Sequence, residues 1–183
     1  MSLRWRTATL GLIFATATLS IVSLSAQTSD PLAGTWELNL GKSKFSPGPP
    51  PKSETRTYDV TGQQEKMIAK GMDAEGKPTL FQFTATRDGK DYPYRGSPII
   101  DTVSLTPVDT FTLTFVTKKD GNVALTGTRV ISNDGKMMTL SSKGTNPKGQ
   151  PVENTAVYGA WRTVRRYSSS NGVDFGRLKL DGQ

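Results

Sequence analysis

The sequence predicts an all-β protein, an antiparallel up-and-down meander of eight or nine strands that closes into a barrel. Apolar and polar residues alternate with period two, most strictly at 110–117, where Phe111, Leu113 and Phe115 are separated by threonines. Asp-Gly pairs stand at three of the turns, and Asp-Gly favours the tight hairpins that join antiparallel neighbours. Closure is expected because it removes the exposed edges of a long meander, and an open sandwich is the alternative.

Nine segments are predicted to form strands, because each is bounded by glycine, proline or Asp-Gly turns. In chain order they cover residues 34–40, 53–60, 64–72, 79–86, 99–106, 110–117, 123–132, 137–143 and 152–160. The proline-rich segment 41–53 is predicted to be an extended, semi-rigid loop over one barrel end. Two prolines in 92–98 argue against a central strand there.

The first predicted strand opens with Gly34-Thr35-Trp36. Trp36 starts an alternation of apolar and polar residues, and Gly34 lets the backbone pass close to the large indole. This Gly-x-Trp motif resembles the opening motif of the lipocalins. In that family the tryptophan plugs the closed end of an eight-stranded barrel, so the resemblance implies a structural role for Gly34 and Trp36. A core tryptophan on the first strand of some other fold is the alternative.

A longer stretch, GTWELNL at 34–40 followed by KSKFSPGPPPKS at 42–53, resembles a group of uncharacterised exported bacterial proteins described as lipocalin-like. The resemblance extends to about Val157-Tyr158. It implies a lipocalin-like barrel and an exported location. It implies no reaction, because those relatives have no established activity.

Three regions are predicted along the chain. Residues 1–26 are typical of a signal peptide, since two arginines precede an uncharged apolar run that ends in the small residues of a cleavage site. An uncleaved membrane anchor is the alternative. Residues 27–160 are expected to form the barrel, and 161–183 a basic, flexible tail. We therefore expect a protein exported to the periplasm or the outside, with no stable membrane insertion after cleavage.

Missing residue types exclude several chemistries. The chain contains no Cys and no His, which excludes disulfides, a lipoprotein anchor, imidazole zinc sites and His-based triads. Its net charge of +7 falls to +5 without the two signal arginines, and 159–183 carries five basic and two acidic residues, so 27–158 keeps 5 − 3 = +2. No dense basic stripe is visible there, so no nucleic-acid partner is expected. Neither a cofactor, a metal nor catalysis is predicted, and a monomer is expected.

The predicted site is an apolar cup formed by inward-facing side chains. The candidate ligand-binding residues, which share the apolar faces of alternating segments, are Phe81, Phe83, Phe111, Leu113, Phe115 and Arg129. In an eight-stranded barrel such side chains either fill the core or line a pocket for one small ligand.

Arg129 is the unusual member of this set, because it stands on an otherwise apolar face. If buried, it needs a carboxylate partner or a ligand acid. Alternatively it closes over Trp36, a role for which Arg162 competes, or Gly127 marks a bulge that turns it outwards.

Asp101 and Asp109 flank the fifth predicted strand and could form a carboxylate pair across a cleft. Aspartates beside turns at strand ends are the ordinary alternative. Taken together, the sequence favours an exported lipocalin-like protein that binds a small, mostly apolar ligand without catalysis. The alternative is an envelope structural or interaction protein whose filled barrel acts through loops and a basic tail.

Overall fold

The computed structural model describes residues 29–167 and 173–179, with side chains described as far as Trp161. The predicted signal peptide, residues 1–26, lies outside the described residues, as do 168–172 and 180–183 of the predicted tail. Within the described ranges, no helix is long and apolar enough to cross a membrane.

The described chain consists of strands joined by turns. The strands are β1 (Gly34–Leu38), β2 (Lys44–Ser46), β3 (Ser53–Thr61), β4 (Gln64–Met72), β5 (Pro78–Thr86), β6 (Tyr92–Arg95), β7 (Thr102–Pro107), β8 (Thr112–Lys119), β9 (Asn122–Ile131), β10 (Met137–Thr145), β11 (Pro151–Tyr167) and β12 (Val173–Lys179). A 3-10 turn, Leu40–Lys42, joins β1 to β2.

Ten of these strands close a barrel. Neighbours follow the order β1-β3-β4-β5-β6-β7-β8-β9-β10-β11, and β11 pairs with β1 to complete the ring. In the described ranges β2 and β12 pair with β11 alone, so both lie outside the ring. The prediction of an all-β antiparallel meander that closes into a barrel is confirmed. The predicted strand number was wrong, because the ring has ten strands rather than eight or nine.

The additional ring strand is β6, in the segment where prolines argued against a strand. It is only four residues long and contributes two residue pairs to β5 and two to β7. A proline removes one backbone donor, which a long central strand would miss. A strand this short requires few ladder hydrogen bonds, and Pro93 is accommodated opposite Thr102.

One end of the barrel is closed by the start of the described chain. Leu32 and Trp36 are both buried, and the Trp36 indole Nε1 donates a hydrogen bond of 2.9 Å to the Leu32 carbonyl. Gly34 begins β1 with a φ of 137°, a value that side chains on Cβ disfavour. The buried core includes Leu32 and side chains from β1, β3, β4, β5 and β7 to β11.

The opposite end carries β2 and the proline-rich segment. Phe45 pairs with Asn154 of β11, six residues before Ala160, which pairs with Trp36. β11 itself runs on to Tyr167, where it pairs with β12, so the predicted domain boundary at 160 lies inside a strand.

Candidate functional site

The barrel contains a cavity of about 210 Å³. Its apolar wall is formed by Phe83, Val103, Leu105, Phe115, Leu125 and Leu140. Polar side chains line the other wall, namely Glu54, Arg56, Tyr58, Tyr94 and Tyr158. Phe45, Pro51 and Ile100 line it from the end opposite Trp36. The strands of the apolar wall also bring Thr117, Arg129 and Ser142 to the cavity, and β11 adds Asn154, so polar groups occur on both sides.

Three of the six predicted site residues, Phe83, Phe115 and Arg129, line this cavity. Phe111 and Leu113 instead lie at the closed end, where they border a separate space of about 20 Å³. Phe81 packs against the core and lies 6.3 Å, between ring centroids, from Tyr94. The structure thus brings half of the predicted set together around one cavity.

The position of the Phe115 ring depends on Gly127, the residue opposite it on the neighbouring strand. Gly127 on β9 pairs with Phe115 on β8. A Cβ on Gly127 would lie 2.6 Å from Cζ of the Phe115 ring and would also meet the Ser141 carbonyl oxygen. Glycine is required here by close packing, and its small size lets the phenyl ring lie over the β9 backbone.

Arg129 is buried, with 5% of its surface exposed, and its partner is Glu65, which is fully buried. Nη1 and Nη2 donate to the two Glu65 carboxylate oxygens at 2.6 and 2.7 Å. The guanidinium lies 5.3 Å from the centroid of the Tyr58 ring. Of the three alternatives for Arg129, the structure therefore shows the carboxylate partner. The irregularity between β8 and β9 falls at Thr117 and Lys118 rather than at Gly127.

The Glu65 carboxylate also ties the start of the described chain to the barrel. Arg87 Nε donates to Glu65 Oε2 at 3.0 Å, and Arg87 Nη1 donates to Asp30 Oδ2 at 2.6 Å. Asp30 Oδ1 accepts from the Leu32 amide. Burial acts to raise the pKa of Asp30, but the hydrogen bond and charge of Arg87 outweigh it and lower that pKa. Two arginines and two carboxylates thus form one charge-balanced network at the closed end.

A second, partly buried ion pair lies in the polar wall, on β3. Arg56 Nε donates to Glu54 Oε1 at 2.6 Å, and the Tyr158 hydroxyl donates to the same oxygen at 2.6 Å. Burial opposes ionisation of Glu54, yet the Arg56 charge lowers its pKa below the ordinary value. Burial likewise opposes the Arg56 charge, and Glu54 more than compensates, so the Arg56 pKa is raised. Both groups are ionised at neutral pH.

Tyr94 completes the polar wall from the short strand β6. Its ring lies 5.9 Å from that of Phe83, between centroids. Burial raises the pKa of Tyr94 to about 12, with the Glu54 carboxylate adding to the effect and Arg56 opposing it. The hydroxyl therefore keeps its proton and is available as a hydrogen-bond donor.

The polar wall and Glu65 were not identified from the sequence. Period two in 53–60 places Arg56 and Tyr58 on one face with Glu54, but a charged face is ordinarily read as solvent-facing. For 64–72, the neighbours Met67 and Ile68 left the inner face undecided. One signal for them was available in the sequence. Glu54 and Glu65 lie on two strands joined by a hairpin, and carboxylates there could neutralise two arginines that point inward.

Asp101 and Asp109 both act beside turns. Asp101 accepts from Lys119 Nζ at 2.8 Å and from the Asp120 amide at 2.8 Å. Asp109 accepts from the amides of Phe111 and Thr112 at 2.7 Å each. Both aspartates therefore stabilise turns at strand ends, which was the alternative to a carboxylate pair across a cleft.

Comparison with known proteins does not assign the chain to a family. No protein-family model matches the chain, and no curated protein matches it. Among solved structures, a redesigned β-barrel, mFAP1, bound to DFHBI is similar at 15% identity and a TM-score of 0.41. The match covers 70% of this chain and 94% of that one.

Proposed function

We propose that the protein is an exported, lipocalin-like binding protein for one small, mostly apolar ligand, and that it performs no catalysis. The observation that supports this best is the 210 Å³ cavity inside the ring. A cavity of about 150 Å³ in a protein core is large enough for benzene. The larger space here therefore suits a substituted ring, a fused pair of rings or a short aliphatic chain. The absence of His and Cys from the chain is consistent with binding rather than reaction.

Binding is tested by native mass spectrometry of the protein purified gently from its own host. We expect a retained small molecule at one per chain. Uptake of the uncharged fluorophore 1-aminonaphthalene by the emptied protein provides the second measurement. A bare mass together with no uptake would overturn the proposal and favour an interaction protein that acts through its loops and tail.

A pair of variants separates the cavity from the outer surface. Ala156 on β11 lines the cavity, whereas its neighbour Thr155 does not and lies on the opposite face of the strand. Ala156→Leu should narrow the cavity and weaken uptake of 1-aminonaphthalene. Thr155→Leu, the control, should leave uptake unchanged.

Export is a separate part of the proposal and has its own test. The signal-like features of residues 1–26 support it. The intact mass of the protein from its host should correspond to a chain that begins at Gln27. A mass that includes residues 1–26 in the soluble fraction would contradict export by cleavage.

A further inference from the structure

The polar wall of the cavity has unused hydrogen-bond donors. Within the described part of the chain, the hydrogen bonds of Arg56 use Nε alone, and about a fifth of its side chain remains accessible. Arg56 lines the cavity, and no described residue accepts a hydrogen bond from its Nη groups. Tyr94 lines the same space, and no hydrogen bond of its hydroxyl is found among the described residues. Several N–H donors and one O–H donor therefore meet at one wall.

Acceptors at this wall are fewer. Glu54 Oε1 already accepts from both Arg56 Nε and the Tyr158 hydroxyl. Its other oxygen, Oε2, is the carboxylate acceptor left at the wall among the described contacts. A molecule that fills the cavity and satisfies this wall must supply an acceptor oxygen. A purely apolar molecule would displace water from the Arg56 donors without giving them a new partner, which is unfavourable.

The charges around the cavity are balanced. The Arg56 charge is offset by Glu54, and the Arg129 charge is offset by Glu65 in a bidentate pair. A charged ligand would lose part of its hydration and add one uncompensated charge to the cavity, at a cost in desolvation. A neutral ligand avoids that cost and still accepts the hydrogen bonds offered by Arg56.

We propose that the cavity selects an uncharged ring-sized molecule that carries a carbonyl-type oxygen, which Arg56 Nη and the Tyr94 hydroxyl hold while the ring packs against Phe83 and Phe115. This inference rests on the proposed function, since it assigns the ligand class of the same cavity. The Glu54 carboxylate fixes Arg56 in place, so Glu54 is a positioning residue.

The test uses four compounds of one shape, a phenyl ring bearing a branched substituent of three non-hydrogen atoms: cumene, acetophenone, benzoate and benzamidine. Their dissociation constants are measured on the full-length mature protein at neutral pH. Acetophenone should bind about tenfold more tightly than cumene, as expected for a hydrogen bond from a charged donor. Benzoate and benzamidine should both bind more weakly than acetophenone because each carries a charge.

The binding results distinguish failure of the carbonyl assignment from failure of the proposed binding function. If none of the four compounds binds, the inference is overturned, and uptake of 1-aminonaphthalene then decides whether the cavity binds ligands at all. If cumene binds as tightly as acetophenone, binding stands and the carbonyl assignment is wrong. If benzoate binds most tightly, the charge argument fails and the site is one for anions.

Variants locate the donors. Tyr94→Phe should weaken acetophenone severalfold and leave cumene unchanged; equal effects on both compounds would remove Tyr94 from the assignment. Arg56→Met removes the main donors, but it leaves the Glu54 carboxylate with Tyr158 as its one described partner and can unfold the barrel.

The infrared carbonyl stretch of acetophenone bound to the unmodified protein tests the donors without a destabilising substitution. It should lie at lower frequency than in an apolar solvent, and an unshifted stretch would overturn the inference.

Discussion

At the scale of single residues, the barrel depends on a buried arginine, Arg129, whose charge is neutralised by the buried Glu65 carboxylate. Burial alone would lower the pKa of Arg129, but the adjacent Glu65 charge and its hydrogen bonds raise it. The guanidinium therefore stays ionised inside the protein. Such a pair contributes little net stability compared with apolar residues, yet loss of one partner leaves the other charge buried and alone.

Glu65→Gln is consequently expected to destabilise the protein by about 3–5 kcal/mol, because Arg129 and Arg87 would keep their charges with one fewer carboxylate. Urea unfolding measures this change. Lys90→Gln, which breaks the exposed pair with Asp88, is the control and should have no measurable effect. The double variant Glu65→Leu with Arg129→Met should recover most of the loss, since Arg87 retains Asp30. A single-variant cost no larger than the control would contradict this account.

At the scale of strands, much of the meander was predictable from the sequence. Strict alternation in 110–117 and the Asp-Gly turns placed the hairpins, since both signals are local. β2 and β6 were missed because their pairing is decided by distant partners. Phe45 lies opposite Asn154, and Tyr94 opposite Phe83, and neither relation is visible within a short window.

The candidate site was predictable only in its apolar half. Alternation identified Phe83 and Phe115 as inward residues, because apolar side chains follow the core face. It could not identify Glu54 or Glu65, since an isolated acidic residue is ordinarily exposed. Their burial depends on arginines supplied by other positions on the ring, at Arg56 and Arg129.

The contact between β8 and β9 gives a prediction at this scale. Gly127→Ala should destabilise the protein by about 1–3 kcal/mol, because the new Cβ meets both the Phe115 ring and the Ser141 carbonyl oxygen. The ring should move into the cavity, so uptake of 1-aminonaphthalene should weaken severalfold. Gly41→Ala is the control, because a Cβ there makes only an ordinary contact with the Asn39 side chain. Unchanged thermal stability and unchanged uptake in Gly127→Ala would show that this packing is not tight.

At the scale of the whole molecule, the titrating groups predict a broad pH plateau of stability. Asp30 and Glu54 have folded pKa values below the ordinary 3.8 and 4.5, so their contribution is present above those values and is lost as pH falls through the folded ones. Tyr94 has its pKa raised from 10.0 to about 12, so its contribution is complete below pH 10 and is lost as pH rises towards 12. The chain has no His to titrate between these limits.

Urea midpoints measured from pH 3 to pH 11 should therefore be flat between about pH 5 and 9 and fall on both sides. Glu54→Gln should be less stable on the plateau and show a shallower acid limb, because it removes a carboxylate that prefers to be ionised in the folded state. A step in stability between pH 6 and 8 would contradict this assignment.

Closure of the ring requires β11 only as far as Trp161. The pairs that join β1 to β11 run from Leu38–Tyr158 to Thr35–Trp161, and β12 pairs with β11 only from Trp161 onward. A chain that ends at Trp161 retains every described pair of the ring. It should fold and take up 1-aminonaphthalene with an affinity within about twofold of the full chain, because every described residue that lines the cavity is retained. A chain that ends at Asn154 loses the whole β1–β11 contact and should fail to fold. If the chain ending at Trp161 folds but does not bind, the ribbon of β11 and β12 contributes to binding, and the ring by itself is not the functional unit.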